Sequence, residues 1–395
     1  MFRHLFKIIW NKKKQNFLMI TEMFVSFLVI FAVFSMMVFY YHNYKQPTGF
    51  DYNDVWVVNY STPQNIQSND SIMLFQQTLK QMLHSMPQIK NVSFAGSNVP
   101  FAMSSSNSSI TYNSKQELTN IYQSEIDYAK VLNMHIISGR WFNETDKIST
   151  IKPIVINNKL KEEFFGNDDA VGKVIGDKGI GTEDNRLKIV GVVQSLKDKG
   201  DYQPIEYGMY QLMDTNFARY ANTILLKVQP GTDAAFEGKL FKSLSNAIGS
   251  SIEIEHLDKK LASKNKIFLV PAIIAIVVAA FLIINVALGL FGVLWYNINK
   301  RRGEIGLRRA VGATGSAVSK QLVGEALVLS TFALIIGSFF AVQFPLLNVF
   351  DLPASVYIIA MLLAIVFIYV LVIICALYPG KQAAAIYPAV ALHEE

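Results

Sequence analysis

Four long apolar stretches limit what this chain can fold into more than any other feature of its sequence. They cover residues 17–41, 267–296, 321–347 and 354–378. Each is longer than the run of about 20 helical residues that crosses a bilayer core of about 30 Å. Two charged residues lie within them, Glu22 in the first stretch and Glu325 in the third. The pattern predicts a membrane α protein with four transmembrane helices, one N-terminal and three C-terminal.

The basic residues beside these stretches predict their orientation. Residues 1–16 contain five Lys and Arg and no acid, and residues 297–320 contain six, with Glu304 as the one acid. The link at 348–353 contains neither Lys nor Arg. Because short loops rich in Lys and Arg stay on the cytoplasmic side, we expect both termini and the 297–320 link to be cytoplasmic. Residues 42–262 and the 348–353 loop then lie outside.

The segment before the first stretch is amphipathic. Its apolar stripe, at helical spacing, comprises Phe2, Leu5, Phe6 and Ile9. We expect residues 1–16 to lie in the cytoplasmic interface, although a merely basic tail is also compatible with the sequence. Since the apolar region of a signal peptide has only about 7–15 residues, the longer 17–41 stretch is interpreted as a retained anchor.

The net charge of +6 does not indicate nucleic-acid binding, because of where the charges lie. The region from His42 to Lys266 holds 24 Lys and Arg against 24 Asp and Glu. The remaining 12 Lys and Arg against 6 acids, which carry the whole excess, flank the apolar stretches. That distribution is typical of membrane topology, so no nucleic-acid partner is expected.

Residues 42–262 alternate between strand and helix patterns and predict an extracytoplasmic α+β domain. Strand patterns cover 54–60, 153–158, 186–193, 222–228 and 251–257, and helical patterns cover 71–83, 159–166 and 233–249. This alternation suits small split β-α-β units. A single cysteine, Cys375, excludes an intrachain disulfide, so this domain depends on its own apolar core.

Two parts of this domain carry more detailed predictions. The 71–83 helix has either Ser71 or Asp70 as a suitable N-cap. Its apolar face comprises Ile72, Phe75, Leu79 and Met82. The stretch 93–120 is rich in Ser and Asn, which predicts loops and short strands of an inserted subdomain; a mobile lid is also compatible with this composition.

The sequence shows no catalytic or metal-binding motif. None of the six histidines lies in a metal-ligand spacing, and there is no GxSxG nucleophile motif. Residues 166–174, GNDDAVGKV, approach a Walker A motif but have five residues between the glycines and end in Val174. We therefore expect that the chain is not an enzyme and holds no cofactor or metal. If ATP drives it, a separate ATPase is expected to bind ATP and Mg.

The link between the second and third stretches is the most informative segment. Its sequence from residue 300 begins KRRGEIGLRRAVGAT, in which Glu304 and Arg308 can pair at a spacing of four residues on a helix. Gly312 and Gly315 allow the chain to turn before the third stretch. Its composition alone is also typical of an ordinary cytoplasmic loop.

The order of residues in this link resembles the R-x-R/G-E-I-G-x-R-x-A-x-G-A motif of MacB/FtsX-type ABC transporter permeases. In that family the motif forms the coupling helix that docks on the cytoplasmic ATPase, which the resemblance places at 297–320. The positions that match are Arg301, Arg302, Glu304, Ile305, Gly306, Arg308, Arg309, Ala310, Gly312 and Ala313.

Two further segments resemble the same family. Residues 138–196 contain its Gly-Arg-x-Phe and Phe-Gly-x-x-x-x-x-Gly-Lys steps, as in the MacB-type periplasmic core domain. The C-terminal segment 379–395 matches at Pro388, Ala391, Leu392 and Glu394, whereas His393 stands where Arg is usual. The chain begins 16 residues before its first span, so we expect it to resemble the members without a fused ATPase.

The resemblance implies a permease subunit of the bacterial cytoplasmic (inner) membrane that exports a substrate or transmits mechanical work outward. Its implied partners are a cytoplasmic ABC ATPase dimer, a second permease subunit (the same chain or a paralogue), membrane lipid and a periplasmic adaptor. Two alternatives remain open: an FtsX-like regulator of an extracytoplasmic hydrolase, and a membrane-anchored sensor or receptor without an ATPase.

Small and acidic residues within the spans carry two further predictions. Ala333, Gly337 and Ala341 recur at four-residue spacing, as do Ala275 and Ala279, which suits close helix packing in lipid. Glu22 and Glu325 lie about one turn inside the cytoplasmic face. Both are expected to reach the interface or to pair with nearby Lys and Arg, and a role in gating or substrate contact is the alternative.

Overall fold

The computed structural model describes residues 13–63, 66–176 and 186–385, and it divides the chain into two compact units. One unit is the membrane unit, which contains the chain up to His42 and from Leu269 onward. The other, Asn43–Phe268, is called the α+β domain here. The predicted stripe at Phe2–Ile9 and the C-terminal matches from Pro388 to Glu394 lie outside the described residues.

Four helices in the described part are long and apolar enough to cross a membrane, at the four predicted places. They are α1 (Lys13–Lys45), α6 (Leu257–Lys300), α8 (Gly315–Leu346) and α9 (Ala354–Ala384). All four extend beyond at least one end of the apolar stretch that predicted them, because the helical hydrogen-bond ladder continues through polar residues that hydropathy does not mark. With 44 residues, α6 is about 66 Å long at about 1.5 Å per residue.

The predicted coupling helix at 297–320 is not one continuous helix. Residues 297–300 complete α6, a short helix α7 covers Arg302–Ala310, and α8 starts at Gly315. Gly312, at φ +102°, lies in the turn between the two helices. The Thr314 side chain then caps α8 by accepting from the backbone N–H of Ala317 at 3.2 Å. Gly312 thus follows the end of α7, and Thr314 begins α8.

The membrane unit is packed around small residues. Ala333, Gly337 and Ala341 are all buried, and a Cβ at Gly337 would overlap the ring of Phe27 on α1. On α9, buried alanines at 360, 364 and 376 join the same apolar cluster. These positions let helices approach closely where lipid gives no hydrophobic driving force. In α6, Ala279 is buried and Ala275 is half-buried.

The described part of the α+β domain contains eleven strands and four helices. The strands are β1 (Val55–Tyr60), β2 (Ile89–Ala95), β3 (Asn107–Tyr112), β4 (Lys115–Ser124), β5 (Ile136–Gly139), β6 (Lys152–Asn157), β7 (Val174–Ile175), β8 (Leu187–Val193), β9 (Gly208–Leu212), β10 (Thr223–Val228) and β11 (Ile252–His256). The helices are α2 (Asn69–His84), α3 (Tyr128–Val131), α4 (Asn158–Phe165) and α5 (Ala234–Ile248).

These strands form one path in the order β11-β1-β10-β2-β4-β9-β6-β8-β5, with β3 paired to β4 and β7 to β8. The first four strands are antiparallel, and only the Ala95–Ser124 pair joins them to the rest. In the second half, β4 with β9 and β6 with β8 are parallel. The two halves of the sheet meet at this pair, and one apolar cluster that includes Val57, Leu225, Tyr122 and Val155 packs across the junction.

The central strands are buried on both faces. In β1, Trp56 and Val58 pack with helices α2 and α5, whereas Val55 and Val57 join a second cluster on the opposite face. Successive side chains of a strand point to opposite faces. This explains why 55–58, VWVV, is a continuous apolar run instead of alternating with polar residues.

Helix α2 starts earlier than predicted, and its buried stripe is turned slightly. Its N-cap is Ser68, whose hydroxyl accepts from the Ser71 N–H at 3.2 Å, so the predicted caps Ser71 and Asp70 lie inside the first turn. The fully buried side chains are Ile72, Gln76, Leu79 and Leu83. Phe75 and Met82 are only partly buried. Gln76 is on the buried side of the helix, where its amide donates to the Ala218 carbonyl at 2.8 Å.

The Ser- and Asn-rich stretch 93–120 is more ordered than expected. It contains the β3–β4 hairpin, whose two-residue turn places Asn113 and Ser114 at positive φ, as a type I′ turn requires. Strand β4 is ten residues long and pairs in parallel with β9. The polar composition reflects exposure of β3, not a lack of strand.

Candidate functional site: the link between the second and third membrane helices

Arg301 anchors the start of α7 to α8. Its Nη1 donates to Glu325 Oε2 at 2.9 Å, and its Nε donates to Glu304 Oε2 at 3.0 Å. The Arg301 side chain is 14 % exposed and that of Glu325 is 18 % exposed. The prediction that Glu325 pairs with the basic cluster is therefore confirmed, and the pair is mostly shielded from water.

Arg308 continues this network on the next turn of α7. Its Nη2 donates to Glu304 Oε1 at 2.6 Å, which is the predicted pair at four-residue spacing. Its Nη1 donates to Gln321 Oε1 at 2.9 Å, and Gln321 in turn donates to Glu325 at 3.1 Å. Charges and amides thus join two turns of α7 to the first turns of α8.

Arg309 connects α7 to the end of α9. Its guanidinium donates to the carbonyl of Ala384, the last residue of that helix. The last carbonyls of a helix lack intrahelical partners and carry partial negative charge, so a cation there is favourable. A Cβ at Gly315 would crowd both this carbonyl and the Arg309 guanidinium. Because Gly315 has no side chain, the Arg309 guanidinium can reach the Ala384 carbonyl beside it.

The underside of α7 is apolar. Ile305 is buried in a small cluster with Ile298, Val318, Leu322 and Ala383, and Gly306 is buried beside it. The cluster draws on α6, α7, α8 and α9. Ile305 and Gly306, which the motif assigned to ATPase coupling, therefore hold α7 in place.

The outward side of α7 carries two apolar residues that the motif did not single out. Leu307 is 56 % exposed and Val311 is 82 % exposed. They are four residues apart, so they lie on one side of the helix, away from Ile305. Glu304, Arg308, Ala310 and Gly312 are also exposed. Together they form a surface, here called the docking face, in which apolar groups lie among charges.

The remaining predicted site residues lie elsewhere. Arg302 and Ala313 are half-buried. Glu22 is not near this network; its carboxylate lies against Gly289 of α6, where a Cβ would overlap it. Among the described side chains, the structure gives Glu22 no cationic partner. The structure pairs Glu325 with the basic cluster, and for Glu22 the predicted reach to the interface or pairing stays a prediction.

The Gly-Arg-x-Phe step in the α+β domain has a structural explanation. Arg140 binds Asp146 through two parallel hydrogen bonds of 2.6 and 2.8 Å, and Phe142 is buried. Gly139 has φ +68°, and a Cβ there would overlap the Val190 carbonyl. The Gly-Arg-x-Phe segment therefore stabilises the turn that follows β5.

Two family profiles match this chain. One, described as the MacB-like periplasmic core domain, matches residues 23–240, more than half of the chain. The other, described as the FtsX-like permease C-terminal region, matches residues 276–388, including α7. The chain belongs to the MacB/FtsX-type ABC transporter permeases. The resemblance and the fold class predicted from the sequence are both confirmed, and the chain is a multi-pass membrane protein.

Relatives of this permease include YvrN of Bacillus subtilis (strain 168), an ABC transporter permease that is 26 % identical over 294 residues, 70 % of either chain. YknZ of the same strain is 23 % identical over 216 residues, 53 % of either chain. The MacB protein of Bdellovibrio bacteriovorus, a macrolide export ATP-binding/permease protein, is 22 % identical over 74 % of this chain and 46 % of its own. The chain thus spans about half the length of the latter two.

Solved structures similar to this permease include two extracytoplasmic domains. The periplasmic region of MacB from Actinobacillus actinomycetemcomitans is 15 % identical with a TM-score of 0.38, over 53 % of this chain and 91 % of its own. The extracellular domain of YknZ is 12 % identical with a TM-score of 0.36, over 51 % of this chain and 99 % of its own.

Proposed function

We propose that this permease couples ATP hydrolysis by a separate ABC ATPase to movement of its α+β domain, and that α7 is where the ATPase docks. The observation that carries the proposal is the two-sided character of α7. Its underside is held by Ile305, Arg301 and Arg309, while the docking face presents Leu307 and Val311. Exposed apolar residues among charges are typical of a protein interface.

A force on α7 would reach three membrane helices. Arg301 directly follows α6 and binds Glu325 of α8, and Arg309 binds the end of α9. Helix α6 is continuous from Lys300 to Leu257, which follows β11 directly. A helix that is continuous between the link and β11, although it contains Pro271, supports transmission of movement from the link to the α+β domain, whether for export or for mechanical work on an outer partner.

The energy source is proposed to be a partner subunit. The 395 residues contain no Walker A sequence, so ATP and Mg would be bound by the ATPase. Closed, symmetric assemblies are the norm for oligomers, which supports two permease subunits over an ATPase dimer. The basic flanks support placement in the cytoplasmic membrane with both termini and α7 on the cytoplasmic side.

The test is affinity purification of the tagged chain from its native cells in mild detergent, with identification of co-purifying ATPases and their ratio to the permease. We expect one ABC ATPase per permease. A clean preparation without an ATPase, repeated in lipid nanodiscs, would contradict the proposal and favour the sensor alternative.

Surface variants separate docking from folding. Leu307→Gln with Val311→Gln is expected to reduce ATPase recovery by about tenfold or more, since central apolar contacts of an interface each contribute about 1–2 kcal/mol or more. The control is Ile148→Gln, an apolar residue of the α+β domain that is also exposed (87 %). Charge reversal at Glu304 and Arg308 is expected to give the same loss, and its melting temperature is measured alongside because it also removes contacts to Arg301 and Gln321. Unchanged recovery in both sets would rule out the docking face.

A further inference from the structure

The described part of the α+β domain contains a cavity of about 460 Å³ that the coupling proposal does not use. The β3–β4 hairpin contributes Leu118 and Asn120 to its wall, and the first turns of α6 contribute Lys264 and Phe268. The segment before β9 contributes Lys199, Gln203, Glu206 and Tyr207. This volume is sufficient for a small ligand or for the head of a larger one.

The cavity wall is cationic. Three lysines, Lys159, Lys199 and Lys264, line it. Among the described lining residues the one carboxylate is that of Glu206, and it already accepts from the Asn120 amide at 2.6 Å. The lining therefore carries an excess of two positive charges.

Protein acceptors hold two of the ammonium groups in place. The Nζ of Lys159 donates to the Ile205 carbonyl at 2.6 Å and lies 4.9 Å from the centre of the Tyr207 ring. The Nζ of Lys264 donates to the Ala102 carbonyl at 2.8 Å and, more weakly, to the Met103 sulfur at 3.9 Å.

Lys199 is the third of these cations, and its Nζ lies 3.6 Å from the carboxylate of Asp198. The Asp198 carboxylate itself is buried and accepts from the Tyr122 hydroxyl. An ammonium has three donors, so all three lysines keep donors for a ligand.

Without a ligand, Lys159 and Lys264 have no ion pair with a carboxylate in the described part of the domain. Burial lowers the pKa of Lys159, against smaller opposing effects of nearby acids. A bound anion would supply the missing countercharge. Charge-assisted hydrogen bonds from lysine to phosphate or carboxylate are stronger than those between neutral groups.

The same cavity has apolar surface beside the lysines. Met103 and Leu118 are both exposed, and Phe268 lines the wall on α6. Exposed side chains of this size next to a charged cavity would cover an apolar part of a ligand. We propose that the cavity binds an acidic amphiphile, with its phosphate or carboxylate on Lys199 and Lys264 and its apolar chain along Met103 and Leu118.

The site can be tested by isothermal titration calorimetry on the full chain in dodecyl maltoside micelles, with dodecyl phosphate as the probe. Lys199→Gln with Lys264→Gln is expected to weaken its binding about tenfold or more, because both charge-assisted hydrogen bonds to the phosphate are lost. The matched control, Lys239→Gln with Lys242→Gln, removes two exposed lysines of α5 and is expected to change the affinity less than about twofold. Equal affinities in the two double variants would overturn the proposal.

Two further measurements keep the result interpretable. The charge-preserving Lys264→Arg variant is expected to retain binding, and loss of binding there with an unchanged melting temperature would overturn the role of the charge. Inorganic phosphate, which lacks an apolar chain, is expected to bind at least about tenfold more weakly than dodecyl phosphate. Equal binding of the two would overturn the amphiphile assignment. Since no ATPase is present, these results are independent of the coupling proposal.

Nanodiscs distinguish the source of the ligand. If a membrane lipid supplies the anionic headgroup, discs of phosphatidylcholine with phosphatidylglycerol should compete with dodecyl phosphate, whereas phosphatidylcholine alone should not. If a soluble acidic amphiphile is the ligand, dodecyl phosphate should bind equally in both discs and still require Lys199 and Lys264. If the double variant Lys199→Gln with Lys264→Gln binds dodecyl phosphate as well as the parent chain in both discs, the proposal is overturned.

Discussion

Arg301 and Glu325 form a 2.9 Å ion pair that ties the link helix to the third membrane helix. Their side chains are 24 positions apart in sequence and both are mostly shielded from water. Charges in such surroundings cost free energy to desolvate and are tolerated when they are paired. The pair thus gives one of the two acids within the spans a structural role.

Neutralising Glu325 is expected to destabilise the membrane unit. The Glu325→Gln variant should lower the free energy of unfolding by about 1–2 kcal/mol, less than the about 3–5 kcal/mol of a fully buried broken pair, because Arg301 keeps Glu304. The measurement is unfolding of the purified chain by titration with dodecyl sulfate in mixed micelles. An unchanged free energy of unfolding would show that the Arg301–Glu325 pair makes no net contribution to stability.

Neutralising Glu22 is expected to have the opposite effect. Its carboxylate lies against Gly289 without a cationic partner among the described side chains, so a charge there has no compensation. Glu22→Gln should leave the free energy of unfolding unchanged or raise it, in the same titration. A loss as large as that of Glu325→Gln would mean that the Glu22 charge is needed and would favour a functional contact.

The contact between Gly337 and Phe27 predicts a steric effect. A Cβ at position 337 would overlap the Phe27 ring, so Gly337→Ala should destabilise by about 1–3 kcal/mol through overpacking. Gly324→Ala on the same helix has open space around it and serves as the control. Combining Gly337→Ala with Phe27→Leu should recover part of the loss. Equal effects of the two alanine variants would show that Phe27 does not pack on Gly337.

The Arg140–Asp146 pair predicts a pH dependence of stability. The Arg140 guanidinium and, less strongly, the Asn143 backbone N–H hold the pKa of Asp146 below its ordinary value of 3.8. Because the folded pKa is the lower one, its stabilisation is present above about pH 4 and is lost as the pH falls through the folded pKa. Asp146→Asn should therefore lower the free energy of unfolding by about 1–2 kcal/mol at pH 7. At low pH the free energies of unfolding of the variant and of the parent chain should converge.

This pH dependence is measured by thermal unfolding of the chain in micelles between about pH 7 and pH 3. Glu144→Gln is the control, since Glu144 pairs with Lys147 at an exposed position and should contribute little. A stability difference for Asp146→Asn that stays constant across this range would show that the lost charge is not its cause.

Several features were predictable because they depend on local sequence. Hydropathy identified the four spans, and the order of residues around Glu304 identified the link and its family. The Glu304–Arg308 pair followed from helical spacing alone. By contrast, the helix bounds were underestimated, since polar residues such as those before Ile267 continue α6 without any change of helical pattern.

The site was predicted less completely than the fold. The motif marked Ile305 and Gly306 together with the exposed charges, but only the packing of Ile305 with Val318, Leu322 and Ala383 shows that Ile305 faces inward. Leu307 and Val311 lie within the same segment and were passed over, because the motif positions were taken as a set without regard to helical face. The helical spacing of Ile305 against Leu307 and Val311 was the signal that could have separated the two sides.

The sequence alone determined the number of spans, the presence of an α+β domain between the first two and the family, because each rests on hydropathy or on contiguous motifs. Tertiary structure decided that Glu325 is paired, whereas Glu22 has no cationic partner among the described side chains, and that Phe27 packs against Gly337. It also brought Lys159, Lys199 and Lys264 to one cavity. Such relationships join residues tens to hundreds of positions apart, and their distances depend on how whole helices and strands pack.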